Sequence, residues 1–241
     1  MLDYDKEADD YDATRGGEPR AAAAAGSALG LVPAGARSLL DVACGTGIVT
    51  RRLAAGRPGL RVTGVDSSAG MARTAAARLP GAVVLGDSRR LPFTDGSFDA
   101  LTVIWLLHLL ADAEAVVAVV AEAARVLRPG GVLVTTVDKD AAHHVDSDID
   151  VLAAPYRTGH ATDGAALVTA YAAAHGLLPS GTARFPGHGQ GRVPRRLARR
   201  IRDGEIYPAG GSELADRVEA LPDPDSPRPD PEYTLRAYRR V

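Results

Sequence analysis

Cysteine is almost missing from this chain. Cys44 is the single one in 241 residues, which excludes an intramolecular disulfide and a zinc site built from several thiolates. Lysine is nearly as scarce, with only Lys6 and Lys139, so arginine supplies the rest of the positive charge. Neither sign of charge is in real excess: the formal net charge is −2, the summed field gathers no polyanion, and no nucleic-acid partner is expected. Long apolar runs are absent as well. The stretch LTVIWLLHLL at 101–110 is too short to span a bilayer and carries a histidine, so it reads as a buried strand running into a helix, with no membrane partner. Nothing resembles a charged segment followed by an apolar signal core, and the cytoplasm is the expected location.

What is present is an alternation. The runs SLLDVA, RVTGVD, AVVLGD, DALTVIW and GVLVTTVD are separated by segments of helical length, which argues for a doubly wound, mostly parallel α/β sheet with helices on both faces. The expected layout is one domain over 1–241: an N-terminal helical cap at 1–31, a core at 37–138, and loops, helices and closing strands at 139–241. In that last part DKDAAHHVDSDID reads as a polar loop, GTARFPGHGQG as strand and turn, and PRRLARRIRDG and GSELADRVEAL as short helices, the second opened by a serine cap. PDPDSPRPDP reads as a stiff extended linker and EYTLRAYRR as a closing strand.

Asp41 lies within the first run, while Asp66, Asp87 and Asp138 close the second, third and fifth. Ligands of open parallel sheets sit beyond the carboxyl ends of the strands, so these acids mark a site, although an aspartate there also caps the following helix. Between the first strand and its helix stands DVACGTGIVT. Its glycines allow close approach to the backbone beside free helix-start amides. A dinucleotide fingerprint fails at Thr50, where a third small residue belongs, and a phosphate loop fails for want of Gly-Lys-Ser/Thr. An acid after the second strand suits both hydroxyls of a ribose, and one after the third suits an adenine amino group.

The segments LLDVACGTGIVT, VTGVDSSAGM, VVLGDSRRLPFTDGSFDALTVIWLLHLL and AARVLRPGGVLVTTV, in this order, resemble the class I S-adenosylmethionine-dependent methyltransferases, in the branch with many small-molecule and quinone-ring enzymes. Ala43 departs from the family's longest first motif, which has glycine there. The resemblance implies a seven-stranded sheet with an antiparallel final strand, S-adenosyl-L-methionine as cofactor and S-adenosyl-L-homocysteine as product. It implies that Ala43 and Gly45 place backbone against the methionine part and that Asp66 holds the ribose. Ser67 and Met71 would flank the adenine, Asp87 with the backbone of Ser88 would read its edge, and Trp105 would stand at the sulfonium end. In YDATRGG, Arg15 is the candidate for the methionine carboxylate and Tyr11 for a cover.

Methyl transfer from a sulfonium needs position more than a base. If the acceptor must lose a proton, His108, His143 and His144 are the candidate bases. Because adjacent histidines point apart, a metal held by His143 and His144 with Asp138, Asp146 or Asp148 is not expected. His188 and Gln190 are further candidates to face the pocket. RRLARRIR, with Leu197 and Ile201 one turn apart, reads as an amphipathic helix docked on the surface rather than as an RNA contact. The expected function is methyl transfer to an O, N or C centre of a small molecule, with secondary metabolism as one setting, by a monomer or homodimer. The alternatives are an NAD(P)-dependent oxidoreductase and a non-catalytic binder of the cofactor.

Overall fold

The computed structural model describes residues 4–8, 11–157 and 161–241, so parts of the expected cap, residues 1–3, 9 and 10, lie outside the description. The helices are α1 (Tyr4–Glu7), α2 (Tyr11–Thr14), α3 (Gly17–Leu31), α4 (Ile48–Gly56), α5 (Ala69–Arg78), α6 (Ala113–Val126), α7 (Asp148–Ala153), α8 (Ala165–Ala174), α9 (Pro194–Arg202) and α10 (Gly211–Glu219). The strands are β1 (Ser38–Val42), β2 (Arg61–Asp66), β3 (Val83–Leu85), β4 (Phe98–Val103), β5 (Leu127–Val137), β6 (Leu177–Pro186) and β7 (Glu232–Arg240). They form one sheet in the order β3-β2-β1-β4-β5-β7-β6. The β1–β5 pairings are parallel, whereas β7 runs antiparallel to β5 and β6. This is the seven-stranded, doubly wound sheet with one antiparallel strand that the sequence led us to expect.

β1 is buried along its whole length, as a strand covered on both faces must be. Leu39, Ala100, Val132 and Val134 face α3 and α4. Leu40, Leu101, Val103 and Leu133 face α6 and α8. A separate apolar cluster joins α7, α9 and α10 through Ile149, Leu197, Ile201, Leu214 and Val218. The arginine-rich helix is therefore docked by its apolar stripe. Its arginines meet acids, with Arg195 on Asp225, Arg200 on Glu205 and Arg202 on Asp216.

Four local expectations need correction. DKDAAHHVDSDID contains a 3-10 turn at Ala141–His143 and opens α7, because Ser147 and Asp150 form a reciprocal capping box. Ser212 lies inside α10, whose start carries no side-chain cap. After β4 the chain makes a 3-10 turn at Leu107–Leu109 before Asp112 caps α6. PDPDSPRPDP bends and turns before it extends, with Arg228 donating to both carboxylate oxygens of Asp148.

Candidate functional site

The site grows from the turn between β1 and α4. Ala43 sits at φ 55°, in the left-handed region that favours glycine, which explains why a glycine is at home in this position. Gly47, at φ 76°, allows no substitute: a Cβ there would lie 2.9 Å from the Cβ of Ala75 in α5. Asp41 does not face the ligand side. Its carboxylate is 3% exposed and accepts from the hydroxyls of Thr50 (2.6 Å) and Thr102 (2.7 Å), joining α4 and β4 to β1. Burial pushes its pKa up to about 6. Thr50, the misfit to the dinucleotide pattern, is thus the partner of a buried acid.

Asp66, at the end of β2, clasps the turn: Oδ2 accepts from the Gly45 amide at 2.8 Å and Oδ1 from the Ser68 amide at 2.9 Å. Burial raises its pKa against the pull of these amides. A carboxylate has about four lone-pair positions, and the Gly45, Ser67 and Ser68 amides that draw on it do not fill them all. Cys44 packs beside this acid pair, and burial pushes its thiol up, so it is an inert core residue.

The cap lies across the turn and the start of α5. Asp5 accepts from the Ser68 hydroxyl and the Gly70 amide, both at 2.7 Å, at the positive end of α5. The Gly70 amide bond, its largest influence, holds the Asp5 carboxyl below the ordinary range. Asp12 accepts from the Thr46 hydroxyl at 2.6 Å and pairs with Arg78 at 2.7 Å, while Arg78 donates to the Thr46 carbonyl at 2.9 Å. Tyr11 stacks obliquely on Tyr4, and Arg15 lies 5.7 Å from its ring. Gly16 turns the chain into α3 at φ 81°, close to the His188 carbonyl.

Behind this strap is a cleft of about 30 Å³ lined by Tyr11, Asp12, Arg15, Arg20, Ile48 and Trp105. Trp105 is held at φ 59° by the hydrogen bond from its amide to the Thr136 hydroxyl, 2.8 Å. A bulky residue in this region is a strained one, and such strain concentrates at functional sites. Phe185 and Tyr233 meet the indole edge to face at 5.8 and 5.9 Å, and the Arg20 guanidinium sits 3.6 Å from its centre. Around the cleft, Arg15 Nε, Arg20 Nε, Trp105 Nε1 and His108 Nδ1 are buried without a hydrogen-bond partner among the described residues. Three of these four are obligate donors, which fits an anionic or acceptor-rich ligand.

The histidines divide. Burial lowers His108 to about 3 and His143 to about 3, so both are neutral, and His143 Nε2 lies 3.2 Å from the Tyr233 hydroxyl. His144 is exposed. His188 is exposed too, and Gln190 donates to the Gly189 carbonyl. No group of three or more His, Cys, Asp or Glu among the described residues could hold a metal. Asp138 caps the Ala165 amide of α8, and Asp148 is taken by Arg228.

On the adenine side, Ser67 is exposed and Met71 is 2% exposed, a core side chain. Asp87 is engaged by Arg89, whose guanidinium donates to both carboxylate oxygens and keeps the carboxyl below its ordinary range. Ser88 is half-buried beside it. The structure thus gathers Tyr11, Arg15 and Trp105 at one cleft beside the Ala43–Gly47 turn. It adds Arg20, Asp5, Asp12, Phe185 and Tyr233, which sequence reasoning missed. Arg20 stands in an alanine-rich helix with no motif around it, so its one sequence signal is a charge on the helix face that alanines otherwise bury.

Residues 40–135 match the family model described as a methyltransferase domain. Over this stretch, about two fifths of its length, the chain is similar to methyltransferase domains. A demethylmenaquinone methyltransferase of Beutenbergia cavernae is 44% identical over 108 residues, covering 44% of this chain and 42% of that protein. Another, from Thermotoga maritima, is 43% identical over 97 residues, 40% of this chain and 41% of that protein. The chain thus aligns with about two fifths of the length of these relatives. Among solved structures the cyclase SpnF superimposes with a TM-score of 0.63 at 22% identity, covering 98% of this chain and 93% of that one, a likeness of fold. The matched stretch holds the turn and the Asp66 clasp, while Arg15, Arg20, Phe185 and Tyr233 come from outside it. No helix among the described residues is long and apolar enough to cross a membrane.

Proposed function

We propose that the chain uses S-adenosyl-L-methionine to methylate an O, N or C centre of a small molecule. The observation that carries this reading is the turn clasped by Asp66 next to a cleft whose buried donors, Arg15 Nε, Arg20 Nε and Trp105 Nε1, lack acceptors. When bound, the cofactor supplies a methyl group already activated on a cationic sulfur. Asp66 takes the ribose hydroxyls with its remaining lone pairs, and the Ala43–Gly45 backbone lies against the methionine part. Arg15 pairs with the carboxylate, the bidentate task for which arginine is shaped. Asp87 reads the adenine with Ser88, sharing its carboxylate with Arg89, while Ser67 borders the ring and Met71 stays in the core beneath α5. Tyr11 and the strap tied down by Asp5 and Asp12 exclude water, and Trp105 bounds the reacting end. His108 and His143, neutral and weakly basic, orient an acceptor hydroxyl or amine by accepting from it. His144 is left at the rim.

The cyclase SpnF shares this fold, so the fold by itself does not fix the reaction, and the site must. Mass spectrometry of the denatured protein should reveal co-purified S-adenosylhomocysteine, and calorimetry should show that compound binding while NADH does not. Binding of NADH alone would transfer the chain to the oxidoreductase reading, and binding of S-adenosylhomocysteine without homocysteine release from any acceptor panel would favour the non-catalytic one.

A further inference from the structure

Arg20 carries its charge into the interior without a counter-ion. The residue is 6% exposed, and no carboxylate among the described residues forms an ion pair with it. Its side chain makes one hydrogen bond, from Nη1 to the Arg15 carbonyl at 2.7 Å, and its Nε is buried and unpaired. The surroundings add positive charge. Arg15 stands next to it without an acid partner among the described residues, and Lys139 is matched by Asp140 at 3.3 Å. Burial already works against the charge on Arg20. Leaving a guanidinium unpaired inside a protein is costly, and a chain that keeps one there at a cleft has a use for it.

The neighbouring chemistry says what that use is. The guanidinium rests on Trp105, and Phe185 and Tyr233 continue the aromatic wall, so the groups around the charge are aromatic and would complement a flat ring once the narrow cleft opens to admit it. Trp105 Nε1 and His108 Nδ1 supply further polar edges. We infer that Arg20 is the specificity-determining residue for an acceptor that binds as an aromatic anion, a ring bearing a carboxylate or phenolate oxygen that pairs with Arg20 while the ring lies against the aromatic wall. The inference rests on the methyltransferase reading in that the ring is the methyl acceptor. A sulfonium brought to the same cleft would add one more cation, which an anionic acceptor balances.

Trp105 is the single tryptophan of the chain, so its fluorescence reports on this cleft alone. The test titrates the full chain, saturated with S-adenosylhomocysteine, with benzoate, benzyl alcohol and benzylamine. Benzoate is expected to change Trp105 emission saturably, with at least tenfold tighter binding than the other two. Arg20→Met, which keeps the stem over the indole, should abolish that preference. Arg20→Lys, which keeps the charge, should retain part of it and serves if the methionine variant fails to fold. Equal binding of the three probes, preference for benzylamine, or benzoate affinity unchanged in both variants would overturn the inference. So would a variant that loses S-adenosylhomocysteine but keeps benzoate, since Arg20 would then serve the cofactor. Calorimetry with S-adenosylhomocysteine is run separately. Its failure in the wild-type chain counts against the methyltransferase reading, whereas benzoate selectivity is still read in the chain without it.

Discussion

Asp41→Asn should make the protein more stable at neutral pH, an advantage that disappears in acid. Burial raises the folded carboxyl from 3.8 to about 6, so between these values the folded chain holds a proton that the unfolded chain has released. Stability therefore falls as pH rises through this window and stays lower above it. At about 1.4 kcal/mol per pH decade, the interval is worth about 3 kcal/mol. Asparagine offers one acceptor and one donor, as the protonated acid does, and the hydroxyls of Thr50 and Thr102 can each turn to meet it. The two proteins should then coincide below pH 4 or so and diverge by about 3 kcal/mol above pH 6 or so. His108 and His143, both lowered to about 3 by burial, act in the opposite sense, losing stability as pH falls below their ordinary 6.5. They are common to both chains and cancel in the difference. Urea melts of the pair across this range read the effect, with S-adenosylhomocysteine affinity as a control expected to move less than about twofold, because the carboxylate is sealed from the ligand side. Parallel stability curves, or a variant weaker at pH 7, would refute the account of Asp41 as a buried acid charged at a cost.

Three further outcomes follow from the same geometry. Asp66→Ala should lose at least about tenfold in S-adenosylhomocysteine affinity, about 1.4 kcal/mol. It should also lower thermal stability, since the Gly45 and Ser68 amides lose their acceptor; an unchanged dissociation constant by calorimetry would remove Asp66 from the ribose. Ala43→Gly relieves a left-handed alanine worth about 1–2 kcal/mol, against about 0.4–1 kcal/mol of added unfolded-chain freedom, so a small rise in melting temperature is expected. A fall would show that the turn is not strained there. Removal of residues 1–16, which spares α3 and Arg20, should leave circular dichroism close to that of the full chain while cofactor affinity drops, because the Asp5 and Asp12 clasps go with it; full affinity in the truncated chain would end the cover reading.

The alternation of strand and helix was readable because a parallel sheet imposes period and length on every segment, and the glycine turn was readable because its shape needs particular residues. Asp66 stands at the end of β2, as the sequence pattern leads one to expect, but its grip on the Gly45 amide is a tertiary contact that no spacing encodes. Arg20 was invisible for the same reason: Trp105 and Tyr233 lie far along the chain, and only the packing of α3 on the sheet brings them under one guanidinium. Asp87 misled in part, because an arginine two residues on can claim a carboxylate that looks free in sequence. Asp5 and Asp12 stand in a segment whose acidity alone names no partner, although each has a defined one across the turn.

The position of β7 sets the order in which the site can form. Among the described residues β6 pairs with β7 alone, and β7 is bonded on both sides, so the strand of this sheet that comes last in chain order is an interior one. The β1–β5 half, with the glycine turn and Asp66, can assemble while synthesis continues, but β6 must wait as an unpaired segment. Such long-range closure is slow and leaves edges open to misassembly. Tyr233 arrives with β7, so the aromatic wall around Trp105 is the last part of the cleft to be built. Nascent chains stalled before residue 232 should therefore acquire the nucleoside side of the site before any capacity to select an acceptor.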